Sequence, residues 1–297
     1  MKKYYVPLPV RPDADSSFID RKVYDIPYAS VSPAQKLDLY YPNEGDGPFP
    51  TIVYFHGGGF FMRDKKDDQV QGFLYATRNG YAVASCNFRL TGEAPFPAMM
   101  NDACAAVAYL KNHAAELELD PDRFAVAGQS SGGYMATMFA ATCHSRVFVD
   151  PALGGGDVSL AVKACVDWFG KIDFSTCAVQ LEKNGRGSHE FSNAPRSRNA
   201  MFFGVETEAD ITPEMLEKSC VLSYITDKMP PTLAQHGYID HLVPVQQSEE
   251  LVDKIRDMTS FENARFDIIA DADHDDPLFL TDENIARVVR FLDETVK

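Results

Sequence analysis

Ser130 lies in the pentapeptide Gly128-Gln129-Ser130-Ser131-Gly132, between the apolar run Phe124-Ala125-Val126-Ala127 and a helix-like run from Tyr134 to Thr142. A serine hydroxyl attacks carbonyl carbon at neutral pH only when a base takes its proton and a third group orients that base. A strand, a Gly-x-Ser-x-Gly turn and a helix make a nucleophile elbow: small residues flank the serine because the turn is tight, and the hydroxyl is held out at the end of a sheet. The bland alternative is an ordinary Ser/Gly loop, since such pentapeptides arise by chance. The strand before and the helix after single this one out.

The base and the acid must then follow in chain order. His274 is the one histidine downstream of His241 and comes directly after a strand-like run, Phe266 to Ala270. It thus falls on a post-strand loop, where reactive groups of α/β sheets gather. Thr232 to His236 runs into Gly237-Tyr238-Ile239-Asp240, which puts Asp240 at the preceding strand end; the 34 positions from Asp240 to His274 leave room for one helix and one strand. Asp271 and Asp273 are too close to His274 along the chain to come from a separate strand end. The developing oxyanion needs N–H donors, and the residue after the nucleophile, Ser131, supplies one. His56-Gly57-Gly58-Gly59 follows the apolar run Thr51 to Phe55, and its glycines let main-chain N–H groups approach a substrate closely.

These groups require a scaffold of strands and helices in alternation. Val23 to Ala29 and Lys36 to Tyr41 alternate apolar and polar residues like half-buried strands. Thr51 to Phe55, Tyr81 to Asn87, Val162 to Phe169, Thr232 to His236 and Phe266 to Ala270 read as buried strands. Helical spacing fills Asn101 to Leu117, with Asn101 or Asp102 as its cap, and also Val245 to Met258 and Glu283 to Val296. This rhythm predicts a mostly parallel sheet covered by helices on both faces. Residues 1–20 read as irregular. The stretch from Lys171 to about Tyr224 is too long for an ordinary connection; with a short helix near Pro213 to Cys220, residues 171–224 are expected to form a small cap-like insertion in a single domain spanning 1–297.

Composition narrows the function. The 297 residues carry 28 Lys+Arg against 43 Asp+Glu, a formal charge of −15. Such a field repels phosphate backbones and anionic membrane surfaces, so neither nucleic acid nor membrane is an expected partner. No run reaches the ~20 apolar residues of a membrane span, and Met1-Lys2-Lys3 is not followed by an apolar run of signal-peptide length. The six cysteines show no CxxC pair and read as buried free thiols. The expectation is a cytoplasmic enzyme without metal or other cofactor.

At this point the chain resembles a known group. HGGGF at 56–60, Asn87-Phe88-Arg89-Leu90, Phe96-Pro97-Ala98, GQSSGG at 128–133, Val166-Asp167-Trp168-Phe169-Gly170 with Asp173, and HGYIDHLVP at 236–244 are similar to α/β-hydrolase esterases of the bacterial acetyl/feruloyl type, neighbours of the hormone-sensitive-lipase-like carboxylesterases. The likeness covers about residues 25–295. It implies the α/β-hydrolase fold, Ser130, His274 and Asp240 as catalytic triad, Gly58, Gly59 and Ser131 as oxyanion hole, and a homodimer as the form members often take. Gln129 departs from the acidic residue of the lipase-like branch, the N-terminal segment is short for that branch's helical cap, and Asp275 replaces the glycine that commonly follows the catalytic histidine.

Several side chains remain open at this level. Phe60, Phe61 and Met62 after the glycine-rich loop, and Trp168 and Phe169 at a strand end, stand near the expected site and would wall a substrate pocket, although core packing explains them as well. Arg186, Arg196 and Arg198 either meet an acidic substrate or pair with the protein's own carboxylates. His113, His144 and His189 read as structural or solvated, and His236 as a strand-end residue near the acid. Asp271, Asp273, Asp275 and Asp276 around His274 would raise its pKa if they faced the ring, and would do nothing if they pointed into water. The reading that follows is a serine carboxylic-ester hydrolase for short-acyl or aryl esters. Two others stay in play: an amidase or peptidase on the same triad, disfavoured by Gly59 and by the lack of room for a propeller domain, and a non-catalytic ligand-binding homologue, disfavoured by the presence of His274.

Overall fold

A computed structural model describes residues 11–186 and 196–297. Among these residues eight strands form one sheet: β1 (Lys22–Pro27), β2 (Lys36–Tyr40), β3 (Phe49–Phe55), β4 (Ala82–Cys86), β5 (Leu119–Gln129), β6 (Ala164–Trp168), β7 (Thr232–Gly237) and β8 (Ala264–Ile269). Their order is β1-β2-β4-β3-β5-β6-β7-β8. β2 is antiparallel to both β1 and β4, and the rest of the sheet is parallel. The parallel strands β3, β4, β6 and β7 are buried along their whole length, which is why they read as continuous apolar runs rather than alternating ones.

Among the described residues, eight α-helices connect and flank the strands: α1 (Gln71–Leu74), α2 (Ala98–Asn112), α3 (Ser131–Thr142), α4 (Cys177–Lys183), α5 (Arg198–Phe203), α6 (Pro213–Ser219), α7 (Gln246–Met258) and α8 (Asp282–Thr295). The side-chain period of two splits the core into two layers. Val53, Phe55, Phe124, Val126 and Cys165 join the side chains of α2, α3 and α7 in one layer. Ile52, Tyr54, Ala125, Ala127, Val166 and Trp168 join those around α1 and α8 in the other. α7 and α8 each bury one stripe, Leu251-Val252-Ile255 and Ile285-Val288-Val289-Leu292, as amphipathic surface helices do. α3 is buried almost all round.

Three expectations change. α2 begins at Ala98, so Asn101 and Asp102 lie inside it rather than capping it. Asp102 is fully buried and accepts from the Arg89 guanidinium at 2.8 Å and from Gln35 at 2.7 Å; a tertiary ion pair holds a residue whose type suggested a cap. β5 begins at Leu119, ahead of the apolar run Phe124 to Ala127, and takes in Asp120-Pro121-Asp122, where the register slips between Leu119, paired to Phe49, and Phe124, paired to Thr51; Asp122 N–H bonds the Asp120 carboxylate there at 3.0 Å. Asp68 to Asn79, with no element expected, is helical or 3₁₀ throughout. Within 171–224, α6 begins with Pro213 behind Thr212, whose hydroxyl accepts from Met215 N–H, and α5 begins behind Ser197, whose hydroxyl accepts from Ala200 N–H. His189 lies outside the described residues.

Candidate active site

β5 delivers Ser130 into a turn that only small neighbours permit. Its backbone is at φ 54°, ψ −122°, outside the regions side chains favour. A Cβ at Gly132 would stand 2.0 Å from the Phe55 carbonyl oxygen, and one at Gly128 2.2 Å from that of Gly132. The elbow is clamped from the neighbouring strand by Ser130 N–H donating to the Trp168 carbonyl at 2.8 Å. The Ser130 hydroxyl then lies 2.9 Å from His274 Nε2, and His274 Nδ1 lies 2.7 Å from Asp240 Oδ2.

Asp240 follows β7 and is fully buried. Burial alone would raise its pKa, but the His274 imidazole and the bond from His236 outweigh it and hold the carboxyl well below the usual range. Its Oδ1 accepts from Leu242 and Val243 N–H, both at 2.8 Å. His236 is buried in β7, 3.4 Å from Asp240 Oδ2 through Nε2, and is held by the Val243 carbonyl at 2.9 Å and the Ser248 hydroxyl at 2.7 Å. Phe169 packs edge-on against the His274 ring with centroids 4.7 Å apart.

The loop after β3 faces the serine. Gly58 and Gly59 have φ of 103° and 62°, and a Cβ at Gly58 would meet the Met62 carbonyl oxygen and the Arg63 side chain at 2.4 Å. The N–H groups of Gly58, Gly59 and Ser131 donate to no acceptor among the described residues. Gly57 N–H is taken by Gln69 Oε1 at 2.9 Å. His56 is buried against Phe88, its Nδ1 2.8 Å from the Gly57 carbonyl, and burial pushes its pKa down to about 4, so it stays neutral and braces the loop.

These groups open into a cleft of about 760 Å³ including its mouth. Phe60 and Phe61 line it as expected, whereas Trp168 does not. Alternation along β6 points Trp168 at the α1 and α8 layer, against Phe73 and Phe279. The neighbour one position on, Phe169, is the one that reaches the histidine. Lys171, Phe174, Arg198, Asn199 and Phe202 come from the insertion and also line the cleft; sequence reasoning singled out only Arg198 among them, because nothing in their spacing says which way an irregular segment folds back. Arg198 lies 4.8 Å over the Phe61 ring, Arg186 donates to the Tyr238 carbonyl at 2.7 Å beside the acid loop, and Arg196 stands 3.9 Å from Glu206.

Of the four acids beside His274, Asp271 is exposed and the other three have other partners. Asp273 accepts from His241 at 2.6 Å, Asp276 caps the turn after it through Leu278 N–H at 2.9 Å, and Asp275 accepts from Arg11, Gln69 and Gln129. Among the described residues no group of three or more His, Cys, Asp or Glu is arranged to hold a metal ion, and no helix is long and apolar enough to cross a membrane.

Comparison with known proteins places this geometry. The chain is 25% identical over 237 residues to the Mycobacterium tuberculosis protein named "Probable carboxylic ester hydrolase LipM", covering 79% of this chain and 52% of LipM. It is 35% identical over 102 residues to carboxylesterase NlhH of the same organism, 34% of this chain and 32% of NlhH. The chain spans about half the length of the first curated relatives it matches. A solved structure titled as a truncated form of a carbohydrate esterase from gut microbiota superposes with a TM-score of 0.79 at 24% identity, over 95% of this chain and 99% of that one, and so shares the fold. The BD-FAE family model matches residues 37–255, well over half of the sequence, and on that ground the chain belongs to the BD-FAE family, with the fold of the α/β-hydrolase esterases.

Proposed function

We propose that this protein is a serine carboxylic-ester hydrolase working through Ser130, His274 and Asp240. The observation that carries the reading is the unbroken hydrogen-bond chain from Ser130 Oγ through both ring nitrogens of His274 to Asp240, beside three backbone N–H groups without an acceptor among the described residues. His274 Nε2 takes the hydroxyl proton as Ser130 attacks the ester carbonyl. Asp240 keeps the proton on Nδ1, so that Nε2 is free to act as base, and stabilises the imidazolium that forms. Gly58, Gly59 and Ser131 N–H groups receive the oxyanion. Collapse of the tetrahedral adduct passes the Nε2 proton to the departing alcohol, and water clears the acyl-enzyme by the same steps in reverse.

The aromatic floor supports a short acyl group. Phe60 packs on Tyr134 and Phe202, and Phe202 stacks on Phe174 at 4.5 Å, so aromatic rings wall the cleft that Ser130 also lines. The insertion closes the side of the cleft and acts as a cap. Six free cysteines, five of them buried, fit a reducing compartment such as the cytoplasm. The test is hydrolysis of 4-nitrophenyl acetate, butyrate and octanoate beside methyl ferulate and acetylated xylan. Acetate or butyrate is expected to give the highest kcat/KM, and Ser130→Ala to lower kcat by about 10⁶-fold. Undiminished turnover by that variant overturns the mechanism, and preference for octanoate overturns the acyl assignment.

A further inference from the structure

Three donors converge on the Asp275 carboxylate. Gln129 Nε2 donates to Oδ1 at 2.8 Å, and Gln69 Nε2 and the Arg11 guanidinium donate to Oδ2 at 3.3 and 2.5 Å. The orientation of Gln69 is set by chemistry: Gly57 N–H can only donate, so Oε1 must face it, which leaves the amide nitrogen for an acceptor. Arg11 is itself held by Asp68 at 3.2 Å. Gln129 and Gln69 are both buried. Each residue in this network is next in sequence to a reacting group, or bonded to one that is: Asp275 follows His274, Gln129 precedes Ser130, and Gln69 holds Gly57, which precedes Gly58.

We propose that Asp275 is a positioning residue whose carboxylate ties the histidine loop, the nucleophile elbow and the oxyanion loop into one rigid unit. The assignment rests on the esterase reading above. Its backbone is at φ 59°, a left-handed conformation that glycine adopts without strain. A side chain at this position is therefore there for its contacts, not for the turn. The network acts on the distance and angle between Ser130 Oγ and His274 Nε2, where misplacement by about 1 Å costs on the order of 100-fold in rate.

Two variants test it with 4-nitrophenyl acetate. Asp275→Gly removes the carboxylate while suiting the backbone; kcat is expected to fall about 10- to 100-fold with KM changed less than about threefold. Gln129→Glu sets two carboxylates against each other and is expected to lose rate likewise. Adding Asp275→Asn to it restores an amide–carboxylate pair with the roles exchanged, and should recover at least about fivefold of that loss, a non-additivity that general destabilisation does not produce. An Asp275→Gly protein within about twofold of wild-type kcat, a change confined to KM, or strictly additive effects would each overturn the proposal while leaving the esterase assignment intact. A wild-type protein inert toward every ester of the panel overturns both.

Discussion

Ser130, His274 and Asp240 are joined by two hydrogen bonds of 2.9 and 2.7 Å, and in the proposed mechanism the bond from His274 to Asp240 governs the proton's place. Asp240→Asn keeps an oxygen for the N–H groups of Leu242 and Val243 but turns an amide donor toward His274 Nδ1, which forces the proton onto Nε2 and leaves no base facing the serine. The expected outcome is a fall in kcat of about 10⁴-fold with the thermal midpoint moved by only a few degrees, read by steady-state kinetics and calorimetry on the same preparation. These three residues were legible because type, order and post-strand placement all converge on them. Distance along the chain places Trp168 near the site, but in β6 it packs into the layer of α1 and α8; Phe169, in the same layer just past the strand end, has a left-handed backbone (φ 46°) and is the ring that reaches His274. Gln69 carried no signal at all, since a glutamine in a helical segment is ordinary until a fold brings it to Gly57.

At the scale of elements, strand ends position the chemistry. β3 ends in the glycine-rich loop, β5 in the elbow, β7 in the loop of Asp240 and β8 in the loop of His274. β3, β5, β6, β7 and β8 are parallel neighbours, so their carboxyl ends share one edge of the sheet and four separate loops meet there. Gly58→Ala tests the oxyanion loop as an element: the left-handed backbone and the 2.4 Å approach to Met62 and Arg63 leave no room for a methyl group, so the loop must move. Removal of one aligned donor lowers kcat by roughly 10²–10³-fold, with KM little affected. A variant retaining full kcat would show that the N–H of Gly58 does not meet the oxyanion. β3, β4, β6 and β7 were legible to within two residues at each end because burial on both faces demands apolar runs. β5 starts five residues before its apolar run, and β8, expected to be buried, is only partly so, since it is an edge strand of the sheet. The start of α2 was not legible, because the Asp102 pairing with Arg89 is invisible along the chain.

Across the whole molecule, the sheet itself contains a buried carboxyl with consequences for stability. Asp167 in β6 is fully buried beneath the start of α3; Oδ1 accepts from Gly170 N–H at 3.0 Å, and Oδ2 has no partner among the described residues. Burial outweighs the pull of nearby His236 and pushes its pKa up to about 7 from an ordinary 3.8. The folded state thus holds this proton more tightly than the unfolded chain does. Stability is intact below the unfolded pKa and declines as pH rises toward the folded value. Asp167→Asn keeps the acceptor for Gly170 and abolishes the titration, so its thermal midpoint relative to wild type should rise between about pH 5 and about pH 8. A difference that stays flat across that range would mean Asp167 is not protonated in the folded protein.

The sequence by itself picked out the candidate reacting groups and determined the layering. A serine in a Gly-x-Ser-x-Gly turn, a glycine-rich loop and a late histidine after a strand admit few arrangements, and runs buried on two faces admit little but a parallel sheet. Tertiary structure alone decided what surrounds those groups. Phe174 and Phe202 reach the cleft, Arg11 reaches Asp275 across 264 positions, and three of the four acids beside His274 turn to other partners. None of these contacts has a periodicity. They exist because packing the sheet and folding the insertion back bring distant, unpatterned side chains together, and the free energy that selects them belongs to the assembled core rather than to any local segment.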